Sequence, residues 1–103
     1  MIRILPDGED TFVLLDGDTP CGSAKVAWGE TLHILSVEAP DDLLREGMIR
    51  SVLNSGRVRG IPVAVCTDER LYPLLRHLEF FSAEEGMAVD IAAFFGKGCS
   101  SHK

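Results

Sequence analysis

Three cysteines and three histidines are the first residues to ask about, because thiols and imidazoles bind metals and do nucleophilic work. Cys21, Cys66 and Cys99 are an odd number without metal-ligand spacing. His33, His77 and His102 are scattered. A zinc site needs such ligands clustered, so no metal-binding residues are expected. Free thiols in a reducing compartment are the plain reading. Asp16 and Asp18 flank Gly17 in the manner of a calcium loop, but the rest of that ligand pattern is absent. The stretch Asp16-Gly17-Asp18-Thr19-Pro20 therefore reads as a hairpin turn.

One hundred and three residues make one domain. A chain of this size buries about 60–70% of the surface its unfolded form exposes, enough for an adequate core. The net charge of −6 argues against nucleic acid as a partner, since phosphate binding needs a basic face. No apolar run approaches the roughly 20 residues that span a bilayer, and no signal peptide opens the chain. The expectation is a cytoplasmic protein with no membrane partner.

The elements that must position any site follow from periodicity. Met1 to Leu5 reads as an edge strand broken by Pro6-Asp7-Gly8. Thr11–Asp16 and Gly22–Trp28 read as a hairpin. Thr31–Glu38 is a third strand, apolar on both faces and therefore expected to be central and covered on both sides. Helical spacing then takes over at Leu44, Met48, Val52 and their neighbours. That helix starts between Asp42 and Met48 and runs to about Val58, with Gly60 as its cap. Ile61–Cys66 is a nearly continuous apolar strand, as expected for one paired in parallel with Leu32–Val37 through a crossover. Cys66 there reads as buried and inert, and His33 as a core or cleft histidine. Asp68 N-caps a second helix reaching Leu78, its first turn made irregular by Pro73. Phe80-Phe81 starts another strand. Met87–Phe95 is expected to close the sheet, and Gly96–Lys103 to form a loose tail after a single domain spanning 1–95.

This order of elements resembles the GNAT superfamily of acetyl-CoA-dependent N-acyltransferases over roughly Thr11 to Phe95. Phe12 to Trp28 resembles that family's first long hairpin. Leu32 to Val37 resembles its central strand, whose C-terminal half diverges from the next strand. Arg45-Glu46-Gly47-Met48-Ile49-Arg50 aligns with the motif R/Q-x-x-G-x-G/A, with Met48 and Arg50 where the family has small residues. Asp68-Glu69-Arg70 and Leu74 to Phe80 resemble N-x-x-A-x-x-L-Y-x-x-L-G-F, with Leu75 at the tyrosine and Glu79 at the glycine. The loop after Val37 is about three residues longer than usual, and the two helices that usually precede the meander have no counterpart. The fold implied is α+β, an α/β sandwich: a mixed, mostly antiparallel sheet with one parallel strand pair around a β-α-β crossover, and two main helices.

The resemblance implies acetyl transfer from acetyl-CoA to a primary amine, on a small molecule or a peptide. Such a site needs an anion nest at a helix N-terminus, a splayed strand, and a base. The nest falls on Gly47, Met48, Ile49, Arg50 and Ser51, with Arg45 and Arg50 as charge partners. Arg50 either holds phosphate, fills the pocket, or joins Asn54 and Arg57 on a solvated face. The splayed strand brings in the main chain of Ser36 and Val37. Asp68, at the start of the later motif, is a further cofactor-binding residue that the resemblance implies. Glu38, at the mouth of the splay, is the candidate base, against the commoner reading of a surface glutamate. Tyr72 shares a helix face with Leu75 and is the candidate acid, against the commoner reading of a tyrosine packed on the sheet. The alternative function is a catalytically inactive module of the same fold that binds CoA or another small ligand. A third reading is an unrelated metabolite-sensing α/β sandwich. A homodimer would complete an open acceptor side, with Trp28 as one anchor.

Overall fold

A computed structural model describes residues 1–100, with side chains as far as Gly96. Seven strands form one sheet in the order β1-β2-β3-β4-β5-β7-β6. β1 (Ile2–Pro6), β2 (Thr11–Asp16), β3 (Thr19–Ala27) and β4 (Thr31–Glu38) make an antiparallel meander. Helix α1 (Asp42–Val58) carries the chain over to β5 (Val63–Cys66), which pairs with β4 in parallel. The other pairings are antiparallel: β5 with β7 (Gly86–Asp90), and β7 with β6 (Phe81–Ala83).

α1 begins at its polar signal and ends at its glycine. Asp41 accepts a hydrogen bond from the Leu44 amide at 2.8 Å, capping the first turn. At the far end Gly60 takes φ of 78°, which glycine adopts without penalty, and the Ile61 amide returns to the Gly56 carbonyl. Asp68 caps a 3-10 turn, Glu69–Leu71, before α2 (Tyr72–His77). The irregular first turn expected from Pro73 is this 3-10 segment, because proline is tolerated only where its missing N–H is not needed.

Two expectations are corrected. The segment 91–95 is not strand. β7 stops at Asp90, whose carboxylate accepts from the Ala93 amide and caps helix α3 (Ile91–Ser100). A helical turn places Ile91, Phe94 and Phe95 toward the core, which an alternating strand would have split between two faces. α3 therefore runs into the stretch expected as a loose tail; residues 101–103 lie outside the described residues. Second, β4 is covered on one side only. By register, Phe12, Ala24 and Val37 lie across from one another, as do Val26, Ile34 and Cys66, and all are buried. They share a single core with Met48, Ile49, Val52 and Leu53 of α1, Leu75 of α2 and Ile91 of α3. The opposite face carries Lys25 and Ser36, and then Ala27, His33 and Val65. Leu35, skipped in the pairing of β3 with β4, is 50% exposed. That irregularity lets an apolar run sit on a one-sided sheet, because the extra residue resets which side chains point inward.

Candidate functional site

The site is set by a mismatch in strand length. β4 pairs with β5 only from Thr31↔Val63 to Ile34↔Cys66. Beyond that point β5 has ended, while Leu35–Glu38 continues along β3. A gap opens on the β5 side of the last four residues of β4. At its mouth is a cavity of about 180 Å³ lined by Val37, Glu38, Arg45, Asp68, Arg70 and Leu71.

One guanidinium spans this mouth. Arg70 Nη2 lies 2.9 Å from Asp68 Oδ2 and 3.3 Å from Glu38 Oε2. Its Nε donates to Asp68 Oδ1 at 3.0 Å. Asp68 is thus engaged bidentately, a geometry that arginine matches and lysine does not. Hydrogen bonding from Arg70 holds the Asp68 carboxyl below its ordinary range, and the two carboxylates together hold Arg70 charged. Arg45 reaches into the same mouth, donating to the Ala39 carbonyl at 2.9 Å and pairing with Asp42. On the inner side, burial pushes the Cys66 thiol up, so it stays protonated and unreactive.

The structure brings together Val37, Glu38, Arg45 and Asp68 of the expected residues. Ser36 is half-buried and pairs with Lys25, on the face away from the helices. The expected nest is not formed where the motif put it. α1 starts at Asp42, so Gly47 to Ser51 lie in its interior, where each amide serves the helix ladder. Met48 and Ile49 are fully buried in the core. Arg50 points away from the mouth: it pairs with Glu46 at 3.0 Å and lies 5.1 Å from the centroid of the Phe94 ring. Ser51 lies on the flank facing β1 and β2. At the true helix start the amide of Leu44 already binds a carboxylate, Asp41, and Asp42 stands next to it. Tyr72 is half-buried at the end of β5 and does not line the mouth cavity. A methyl at Gly86 would come within 3.0 Å of its hydroxyl and 2.3 Å of the Cys66 carbonyl oxygen, so Gly86 lets the β6–β7 turn approach that hydroxyl.

Arg70 is the residue sequence reasoning missed. Its pairing with Asp68, two residues away, is a local signal. Its contact with Glu38 crosses 32 positions and depends on the crossover. Among the described residues no cluster of three or more His, Cys, Asp or Glu is placed to hold a metal ion.

No family model matches the chain, and no curated protein matches it by sequence. Solved structures do match. One is the ribosomal-protein-S18-alanine N-acetyltransferase of Escherichia coli, at 15% identity and TM-score 0.65, over 82% of this chain and 72% of that one. Another is a protein of Desulfovibrio desulfuricans assigned to the GNAT family of acetyltransferases, at 14% identity and TM-score 0.61, over 79% and 68%. A third is the N-acetylglutamate synthase of Neisseria gonorrhoeae, solved with coenzyme A and N-acetyl-glutamate, at 13% identity and TM-score 0.65. That match covers 95% of this chain and 27% of the synthase. At such identities the likeness speaks for architecture alone, and the architecture of this chain is the GNAT acetyltransferase fold.

Proposed function

We propose that the chain is an N-acyltransferase that moves an acetyl group from acetyl-CoA to a primary amine of a small molecule or a peptide. The observation that supports this reading is the run Leu35–Glu38, left without a partner on its β5 side beyond Ile34↔Cys66. A strand edge left without a partner presents main-chain amides and carbonyls, and the amide-bearing pantetheine arm is a ligand that can pair with them. Acetyl-CoA supplies the thioester whose carbonyl the amine attacks. Glu38 is the proposed base, positioned at the mouth, and Tyr72 the proposed acid. Glu38 first has to leave Arg70, which stays held by Asp68 and is exposed to an arriving phosphate at the mouth. Arg45 is the second cation within reach of the mouth.

The helix start fits a diphosphate poorly, because Asp41 occupies the Leu44 amide that an anion would take. That observation favours a second reading, a module of the same fold that binds CoA or another small ligand without turnover. The free thiols Cys21 and Cys66 suit a cytoplasmic setting, and the open face of the sheet leaves room for a second copy of the chain.

Calorimetric titration with acetyl-CoA and with CoA separates the readings. Micromolar binding with acetylation of an amine in a panel of polyamines, amino sugars and peptides is the result expected. Binding without acetylation selects the second reading. No binding of either ligand at millimolar concentration overturns acetyl transfer and CoA binding alike, and leaves a structural or sensory role.

A further inference from the structure

A second concavity lies on the other flank of α1, away from the mouth. Ser51 and Ser55, one turn apart, face β1 and β2. Opposite them are Ile4, Pro6 and the buried ring of Phe12. A helix flank against an apolar sheet ordinarily carries branched aliphatics that fill the space. Two hydroxymethyl groups do not fill it. The result is two adjoining cavities of about 330 and 210 Å³ that share Pro6, Phe12, Asn54 and Ser55.

The polar groups around this groove are left with bonding capacity. Among the described residues no side-chain hydrogen bond uses the Ser51 or Ser55 hydroxyl, and Asn54 is engaged only through Oδ1, by Arg57 at 2.7 Å. The Asn54 amide nitrogen therefore has two donors to offer. At the end of the groove the Arg59 guanidinium lies 3.8 Å from the centroid of the Trp28 ring. The indole is itself fixed, donating to the Glu9 carbonyl and meeting Phe12 edge-on at 6.3 Å between centroids. Arg59 forms no ion pair with any carboxylate among the described residues, in a chain with 16 of them. Its place at the end of α1 suits a cation for the helix dipole, which accounts for the charge. Beside it the half-buried Ser51 and Ser55 hydroxyls and the exposed Asn54 amide stand over an apolar floor, open to a ligand.

We infer that this groove binds a small organic carboxylate with a flat or branched apolar body. The body rests on Phe12 and Pro6, and the carboxylate accepts from Arg59, the Asn54 amide and Ser55. The charge on the site favours a monoanion: one cation is unpaired, Arg50 at the other end is already held by Glu46, and Glu9 lines the same wall. The inference is independent of acetyl transfer, because none of these residues lines the mouth between β4 and β5.

Trp28 is the only tryptophan and reports on the groove directly. Phenylacetate is the probe, 2-phenylethanol its uncharged match, and acetate its match without a ring. Phenylacetate should change the Trp28 emission saturably, while each control binds roughly tenfold more weakly or worse. In calorimetry Arg59→Gln should weaken phenylacetate by roughly 10- to 100-fold, the loss of a charged hydrogen bond. Ser55→Val, which removes the hydroxyl, narrows the groove and keeps Arg59, should weaken phenylacetate roughly tenfold or more with the circular dichroism spectrum unchanged. A linear response to phenylacetate up to about 10 mM, equal binding of the alcohol, or unchanged affinity in Arg59→Gln would each overturn the inference.

Discussion

Arg70 is the side chain on which the candidate mouth depends. It joins a strand end, Glu38, to a loop, Asp68, that the crossover brings alongside. Its effect on Asp68 gives a pH signature. A carboxyl held below its ordinary range stabilises the fold above the unfolded value of about 4, and that contribution is lost as pH falls through the depressed value. Arg70→Ala should therefore lower stability against urea at neutral pH. The difference from the parent chain should shrink below about pH 4, as the Asp68 carboxyl takes up its proton. A difference that persists undiminished into acid would mean that Arg70 acts through packing and not through Asp68.

At the scale of elements, the beginning of α1 carries carboxylates, Asp41 and Asp42, at the end of a helix that attracts anions. Asp41→Ala removes the cap and should cost about 0.5–2 kcal/mol in a denaturant melt. Asp41→Asn keeps an acceptor for the Leu44 amide and removes the charge, so stability should hold while CoA affinity rises. Unchanged or weaker CoA binding in Asp41→Asn would show that the diphosphate does not approach this helix. Met48 gives the complementary test. Restoring the glycine of the motif, as Met48→Gly, should not restore a nest, since the position is a core position in the second turn of the helix. It should instead cost about 3–6 kcal/mol, from the cavity left by the side chain together with glycine in a helix interior. A mild loss with gained CoA binding would contradict the helix register.

Across the whole molecule, side chains of all three helices join one core, while the other face of the sheet is half-buried at His33 and Val65 and closed at Ala88. Adjacent positions on β4 report this directly. Leu32→Ala should cost about 2–5 kcal/mol, while His33→Ala should stay within about 0.5 kcal/mol. Comparable losses at both would mean that something covers the second face in solution. The order of strand, helix and strand from Thr31 to Cys66 was legible in the sequence, because hydrophobic period and end signals are local. So were the Asp68 turn, made irregular by Pro73, and the glycine stop of α1. The closing segment after Asp90 was not, because Ile91-Ala92-Ala93-Phe94-Phe95 is apolar enough for strand or helix, and the choice rests on the Asp90 cap together with packing against α1 and β7. Nor was the one-sidedness of β4, which turns on a single skipped residue, Leu35. From Met1 to Asp90, local period and end signals marked most of the strands and helices and where they stop. Only the assembled fold brings Arg70 to Glu38 across 32 positions and lets β4 run on past the end of β5. Those outcomes depend on where separate elements stop relative to one another, and no local preference encodes that distance.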